Sequence, residues 1–84
     1  MEYQIIWSVP ATKQLKRLDR SIAKRIYEKV DLLGQNPERY VEKLVLYPFY
    51  RLRVGDYRVI LDIKNESLRI LILKVGHRSN VYER

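Results

Sequence analysis

Tyr50-Arg51-Leu52-Arg53-Val54-Gly55-Asp56-Tyr57-Arg58-Val59-Ile60-Leu61 decides the fold. Apolar and polar residues alternate on both sides of Gly55-Asp56, and Gly followed by Asp is hairpin-turn chemistry. A two-residue turn there sets Val54 against Tyr57, Arg53 against Arg58, Leu52 against Val59 and Arg51 against Ile60. Tyr50, Leu52, Val54, Tyr57, Val59, Leu61 and Ile63 then share one almost wholly apolar face, which must meet helices. Arg51, Arg53, Arg58 and Asp62 share the other.

Working outward, strand-like runs cover residues 48–54, 57–63 and 68–75, the last two separated by a turn around Asn65-Glu66. Upstream, 38–46 reads as a connection with at most one helical turn. Leu15, Leu18, Ile22, Ile26, Val30 and Leu33 recur at threes and fours, the stripe of an amphipathic helix. With Ser8 and Pro10 as start signals, Asp19 to Ser21 able to cap a second segment, and Gly34 and Asn36-Pro37 as stops, this predicts a helical hairpin or bent helix over 10–33. Residues 2–9 alternate as a strand, with Tyr3, Ile5, Trp7 and Val9 on one side. The whole chain, 1–84, is expected to be a single α+β domain of order βααβββ, with the helices on one face of a mostly antiparallel sheet.

Composition narrows the chemistry. The 84 residues hold 17 Lys plus Arg against 10 Asp plus Glu, a formal charge of +7, with one His and no Cys. Disulfides, thiolate metal sites and a thiol nucleophile are excluded, and a lone His leaves no ordinary metal cluster, so neither metal nor cofactor is expected. No apolar run approaches the ~18–20 residues of a membrane span and no secretory leader is recognisable, so no membrane partner and a cytoplasmic location are expected. A basic chain points to a polyanionic or acidic partner.

The placement of charge says more than its sum. Residues 1–40 carry Lys13, Lys16, Arg17, Arg20, Lys24, Arg25, Lys29 and Arg39, mostly on the outer sides of the helices, where a solvated surface explains them. The second half is arginine-rich: Arg51, Arg53, Arg58, Arg69, Arg78 and Arg84. A planar guanidinium fork binds phosphate bidentately and stacks on bases, which an ammonium cannot do. The two-residue turn at Asn65-Glu66 sets Asp62 opposite Arg69 as a salt bridge. Arg53 and Arg58, by contrast, face each other with no carboxylate between them, an arrangement favoured if an anion normally lies there. The plainer reading is that both splay into water. Ile60, Leu71, Leu73 and Val75 share that face and are apolar for open solvent, so either a partner or the folded-back C-terminal tail covers them. Gly76 ends the last strand, which places His77 and Arg78 at its mouth, with Lys74 before them and Tyr82 after. Cations for phosphates and rings for bases are what single-stranded RNA binding needs.

The segment Tyr50 to Val59, then Lys74-Val75-Gly76-His77-Arg78 and Val81-Tyr82, resembles the RelE/ParE superfamily of toxins from prokaryotic type II toxin–antitoxin pairs, with the RelE branch the closer match. The Ser8-Val9-Pro10-Ala11 start of the first helix and Asn36-Pro37 after the second extend the resemblance over the whole chain. It implies a ribosome-dependent endoribonuclease that cuts mRNA in the ribosomal A site. It also implies a tight complex with an acidic, RelB-like cognate antitoxin that wraps the toxin, the complex binding operator DNA. The superfamily's basic pair in the first hairpin strand matches Arg51 and Arg53, its next arginine Arg58, its arginine after the last strand's glycine Arg78, and its C-terminal tyrosine Tyr82. The best-studied branch has lysines where this chain has Arg51 and Arg53.

Cleavage by internal attack requires the 2′-hydroxyl to lose a proton, the pentavalent phosphate to be stabilised and the 5′-oxygen to gain a proton. Arg58 and Arg78 suit the second task. Arg51, Arg53 and Lys74 suit binding of the RNA backbone. Tyr82 suits stacking or proton transfer. His77 is the only side chain whose ordinary pKa suits acid–base work near neutrality. A gyrase-poisoning toxin of the ParE type and a catalytically inert basic module that binds RNA or protein are the alternatives.

Overall fold

The computed structural model describes residues 2–81. The order of elements is β1 (Gln4–Trp7), α1 (Val9–Lys16), α2 (Arg20–Leu32), a 3-10 turn (Pro37–Arg39), β2 (Val41–Lys43), β3 (Tyr50–Val54), β4 (Tyr57–Lys64) and β5 (Arg69–His77). The α+β class is as the sequence predicts, with one addition. Within the stretch expected to be a connection, Val41–Lys43 forms a short strand. The five strands lie in the order β1-β5-β4-β3-β2, antiparallel except where β1 runs parallel to β5.

The helices form where local chemistry starts and stops them. Ser8 is the N-cap of α1 and its hydroxyl accepts from the Ala11 N–H at 3.1 Å, with Pro10 in the first turn, where a missing N–H costs nothing. Asp19 precedes α2, but its carboxylate takes the Ser21 hydroxyl at 2.7 Å instead of a backbone N–H. Ile26, Val30 and Leu33 are buried against Leu52, Val54, Val59, Leu61, Ile63, Ile70, Ile72 and Val75 from the sheet, with Leu15, Leu18 and Ile22 packed at the margin.

β5 outlasts β1, so its outer backbone groups beyond Ile72 need other partners. The N-cap and the last turn of α1 supply them. The Ser8 hydroxyl donates to the Leu73 carbonyl at 3.2 Å, and the Gln14 side-chain carbonyl accepts from the Val75 N–H at 2.7 Å. Ser8 thus caps a helix and closes a sheet edge together. Ser8→Ala is expected to lower stability by about 1–2 kcal/mol, as read by urea denaturation. No change in midpoint would refute that double role.

The β3–β4 register is the one expected: Val54 pairs with Tyr57, Arg53 with Arg58, Leu52 with Val59 and Arg51 with Ile60, around Gly55 at φ +58°. The β4–β5 register differs from expectation. The turn spans four residues, 65–68, with Leu68 at φ 54°, so Lys64 faces Arg69 and Asp62 faces Leu71. The expected Asp62–Arg69 bridge does not form, and Asp62 instead takes the Lys64 ammonium at 3.0 Å. A bulge at Ile60/Leu61 then leaves Leu73 unpaired and turns Val75 toward Val59 and the core, not the arginine face.

Candidate nucleic-acid interface

The face of the sheet away from the helices carries four cations in two neighbouring rows near the β3–β4 turn. Glu42, Arg51, Ile60 and Lys74 stand side by side across β2, β3, β4 and β5, and Arg53, Arg58 and Gly76 form the adjacent row. Four of the basic side chains singled out in the sequence therefore share one surface. Ile60 is buried although it lies on this face, flanked in the register by Arg51 and Lys74.

The cross-strand arginines avoid one another by turning opposite ways. Arg58, at 8% exposure, sends Nη1 back to the carbonyls of Gly55 and Tyr57, each at 2.8 Å. A cation this enclosed is costly unless hydrogen-bonded, and the turn carbonyls meet that need. No carboxylate pairs with it among the described residues. Arg53 turns toward β2, where Glu42 Oε1 accepts its Nε–H at 3.1 Å together with Arg51 Nε–H at 3.0 Å and Nη2–H at 2.7 Å. The expectation that Arg53 lacks an acidic partner is thus corrected: Glu42 lies on a short strand, β2, within the stretch 38–46 that the sequence presents as a connection. These hydrogen bonds, first from Arg51 and then from Arg53, hold the Glu42 carboxyl below its ordinary pKa.

Arg78 lies just past β5. Its backbone N–H donates to the Asp56 carbonyl at 2.8 Å and its Nε lies 4.0 Å from the Asp56 carboxylate, with the side chain 62% exposed. It therefore stands beside the same hairpin turn that anchors Arg58. Residues 77–81 turn back, with the N–H groups of Asn80 and Val81 both reaching the His77 carbonyl, and Val81 is buried over Gly76. A Cβ on Gly76 would meet Val81 Cβ at 3.5 Å, an ordinary van der Waals contact, so the 77–81 turn packs directly over Gly76, the register partner of Arg58. Tyr82 lies outside the described residues.

His77 goes elsewhere. It pairs with Tyr57 and meets that ring edge-on at 5.4 Å, which sets the imidazole on the helix side of the sheet, across from Arg53 and Arg58. Its Nδ1 accepts from the Ser79 N–H at 3.2 Å and lies 2.9 Å from the Ser79 hydroxyl, so a neutral ring carries its proton on Nε2.

Two residues at this site were not singled out in the sequence. Glu42 is one. Arg25, filed with the solvated helix surface, is the other: its Nη2 lies 3.2 Å from where a Gly55 side chain would begin. No sequence spacing links α2 to the hairpin turn, so no local signal reveals Arg25. A separate concavity of about 830 Å³ opens among Tyr3, Trp7, Tyr27, Val30 and Tyr40, and none of the hairpin arginines lines it.

Residues 5–82 match the model of a family described as the ParE toxin of type II toxin–antitoxin systems, parDE. The structure is similar to a chain of the RelBE2 toxin–antitoxin complex from Mycobacterium tuberculosis, with TM-score 0.86 and 27% identity over 93% of this chain and 100% of that one. It is also similar to a chain of the archaeal RelE–RelB complex from Pyrococcus horikoshii, with TM-score 0.80 and 32% identity over 96% and 100%. A chain of the Escherichia coli RelBE complex, 21% identical over 98% and 99% with TM-score 0.78, shares the fold. No curated protein sequence matches at a significant level.

Proposed function

The chain belongs to the ParE toxin family of type II toxin–antitoxin systems, and on that footing we propose that it is a ribosome-dependent endoribonuclease, cutting mRNA in the A site and stopping translation in the cytoplasm. The observation that carries this reading is the arginine surface: Arg51, Arg53 and Arg58 on one sheet face, with Arg78 beside the same turn. Guanidinium forks in this number suit a phosphodiester backbone.

In this mechanism the 2′-hydroxyl of the RNA attacks its own 3′-phosphate and the 5′-oxygen departs. Arg58 and Arg78 stabilise the pentavalent phosphate. Arg58 suits the part because its fork is already fixed by the Gly55 and Tyr57 carbonyls, so little reorganisation accompanies the reaction. Arg51, Arg53 and Lys74 hold the flanking backbone, and Tyr82 stacks on a base or assists proton transfer. His77 is assigned to holding the 77–81 turn through Ser79, because its ring lies on the helix side of the sheet. Positioning within the ribosome supplies much of the rate. The arginines provide the charge stabilisation, so the scheme needs no metal.

The cognate partner is read as an acidic, RelB-like antitoxin, the pair binding operator DNA. Val45 and Leu46, 96% and 84% exposed at the tip of the β2–β3 loop, sit next to Lys43 and give an acidic amphipathic segment both apolar and cationic contacts.

A second reading, gyrase poisoning, is favoured by the family description itself, which names ParE. Inducing the chain without antitoxin separates the readings. Cleaved transcripts on translating ribosomes with intact chromosomal DNA are expected. Broken DNA with intact transcripts would establish gyrase poisoning instead, and unimpeded growth would leave an inert binding module.

A further inference from the structure

We propose that Glu42 is an internal stand-in for a backbone phosphate: its carboxylate occupies the anion position between Arg51 and Arg53, and RNA must displace it to bind there. The identity of the displacing anion rests on the nuclease reading; the occupied position does not. One oxygen, Oε1, accepts from Arg51 Nε and Nη2 and from Arg53 Nε at 2.7–3.1 Å. A phosphate oxygen would recruit these same donors at the same lengths.

The occupant is placed to leave. Glu42 sits on a three-residue strand at the sheet edge, and its side chain is 52% exposed, so it can rotate into water without opening the core. Its row continues through Arg51 and Ile60 to Lys74, and the next row holds Arg53 and Arg58, so the position it fills is continuous with the rest of the cationic surface. Glu42 thereby lowers the standing affinity of the toxin for any polyanion. A ligand that also engages Arg58 and Arg78 displaces it more readily than one that meets Arg51 and Arg53 alone.

The test uses the full chain and a 12-nucleotide single-stranded RNA made uncleavable by 2′-O-methylation. Exposed ion pairs are individually weak, so Glu42→Gln is expected to tighten binding about three- to tenfold at roughly 0.1 M salt. The slope of log affinity against log salt should steepen by about 0.7, one further single-strand phosphate contact. Arg51→Ala should weaken binding by itself and should remove the gain when combined with Glu42→Gln. Unchanged or weaker binding by Glu42→Gln, with a melting temperature like the parent's, overturns the proposal, since a merely structural bridge predicts that result. Loss of the gain's dependence on Arg51 overturns it too. Tighter RNA binding in a chain that cuts no transcript would support the stand-in and refute the nuclease reading.

Discussion

Arg78→Ala is expected to slow mRNA cleavage on translating ribosomes by roughly 10²–10³-fold, the cost of removing one preorganised donor from a developing oxyanion, while the melting temperature stays at the parent value. The second half of that statement follows from geometry. What joins residue 78 to the hairpin is its backbone N–H on the Asp56 carbonyl, which alanine retains. The side chain is largely exposed and its ion pair with Asp56 is long, at 4.0 Å, so its removal should cost no more than about 0.5 kcal/mol. Arg58 offers a less clean version of the test. Alanine there should abolish cleavage comparably, but it also strips Nη1 from the Gly55 and Tyr57 carbonyls, at a cost of about 1.5–3 kcal/mol for charged hydrogen bonds. Arg58→Lys keeps the charge and loses the fork, so it separates electrostatics from geometry. Full cleavage and toxicity in Arg78→Ala would remove the phosphate role from this end of the hairpin.

The parts of this site that were legible in the sequence are those set by turn chemistry and by strict alternation. Gly55-Asp56 admits a short hairpin, and the apolar residues on either side permit one register, so the Arg53–Arg58 pairing could be read directly. Three features resisted for physical reasons. A strand as short as Val41–Lys43 has no periodicity to detect, and it carries the carboxylate that holds Arg51 and Arg53. The run Ile70-Leu71-Ile72-Leu73 is apolar throughout, so nothing in it marks the bulge that sends Val75 to the core. Leu68 takes a positive φ without being a residue that prefers one, which lengthens the turn after β4 and moves Asp62 off Arg69. Each miss changed which side chains meet, while the βαα order of the first half and the three-stranded meander after it stood. Fold class depends on summed periodicity, whereas a site depends on single-residue register.

That same register makes Leu61 the residue whose loss should damage the fold most. It lies on β4, the middle strand of five, paired with Tyr50 on one side and Ile72 on the other, and it is fully buried in the cluster with Ile26 and Val30 overhead. Leu61→Ala removes three carbon atoms from a position where both neighbouring strands are fixed by hydrogen bonds, so the cavity has little chance to collapse. The expected cost is about 2–5 kcal/mol. At about 0.05–0.15 kcal/mol per residue a chain of this length has only some 4–13 kcal/mol in total. The variant should therefore melt about 8–40 °C lower, at roughly 4–8 °C per kcal/mol for a domain of this size. Val45→Ala, at a site with almost no protein contact, should change stability by less than about 0.5 kcal/mol and serves as the comparison. A Leu61→Ala midpoint within error of Val45→Ala would mean that the core does not pack across β4 as described. Antitoxin binding adds a further expectation, because a partner that binds only the folded chain stabilises it by mass action. Leu61→Ala should then be most visibly impaired as free toxin, and its melting temperature should rise steeply with antitoxin concentration, whereas Arg78→Ala should remain folded and inactive with or without it.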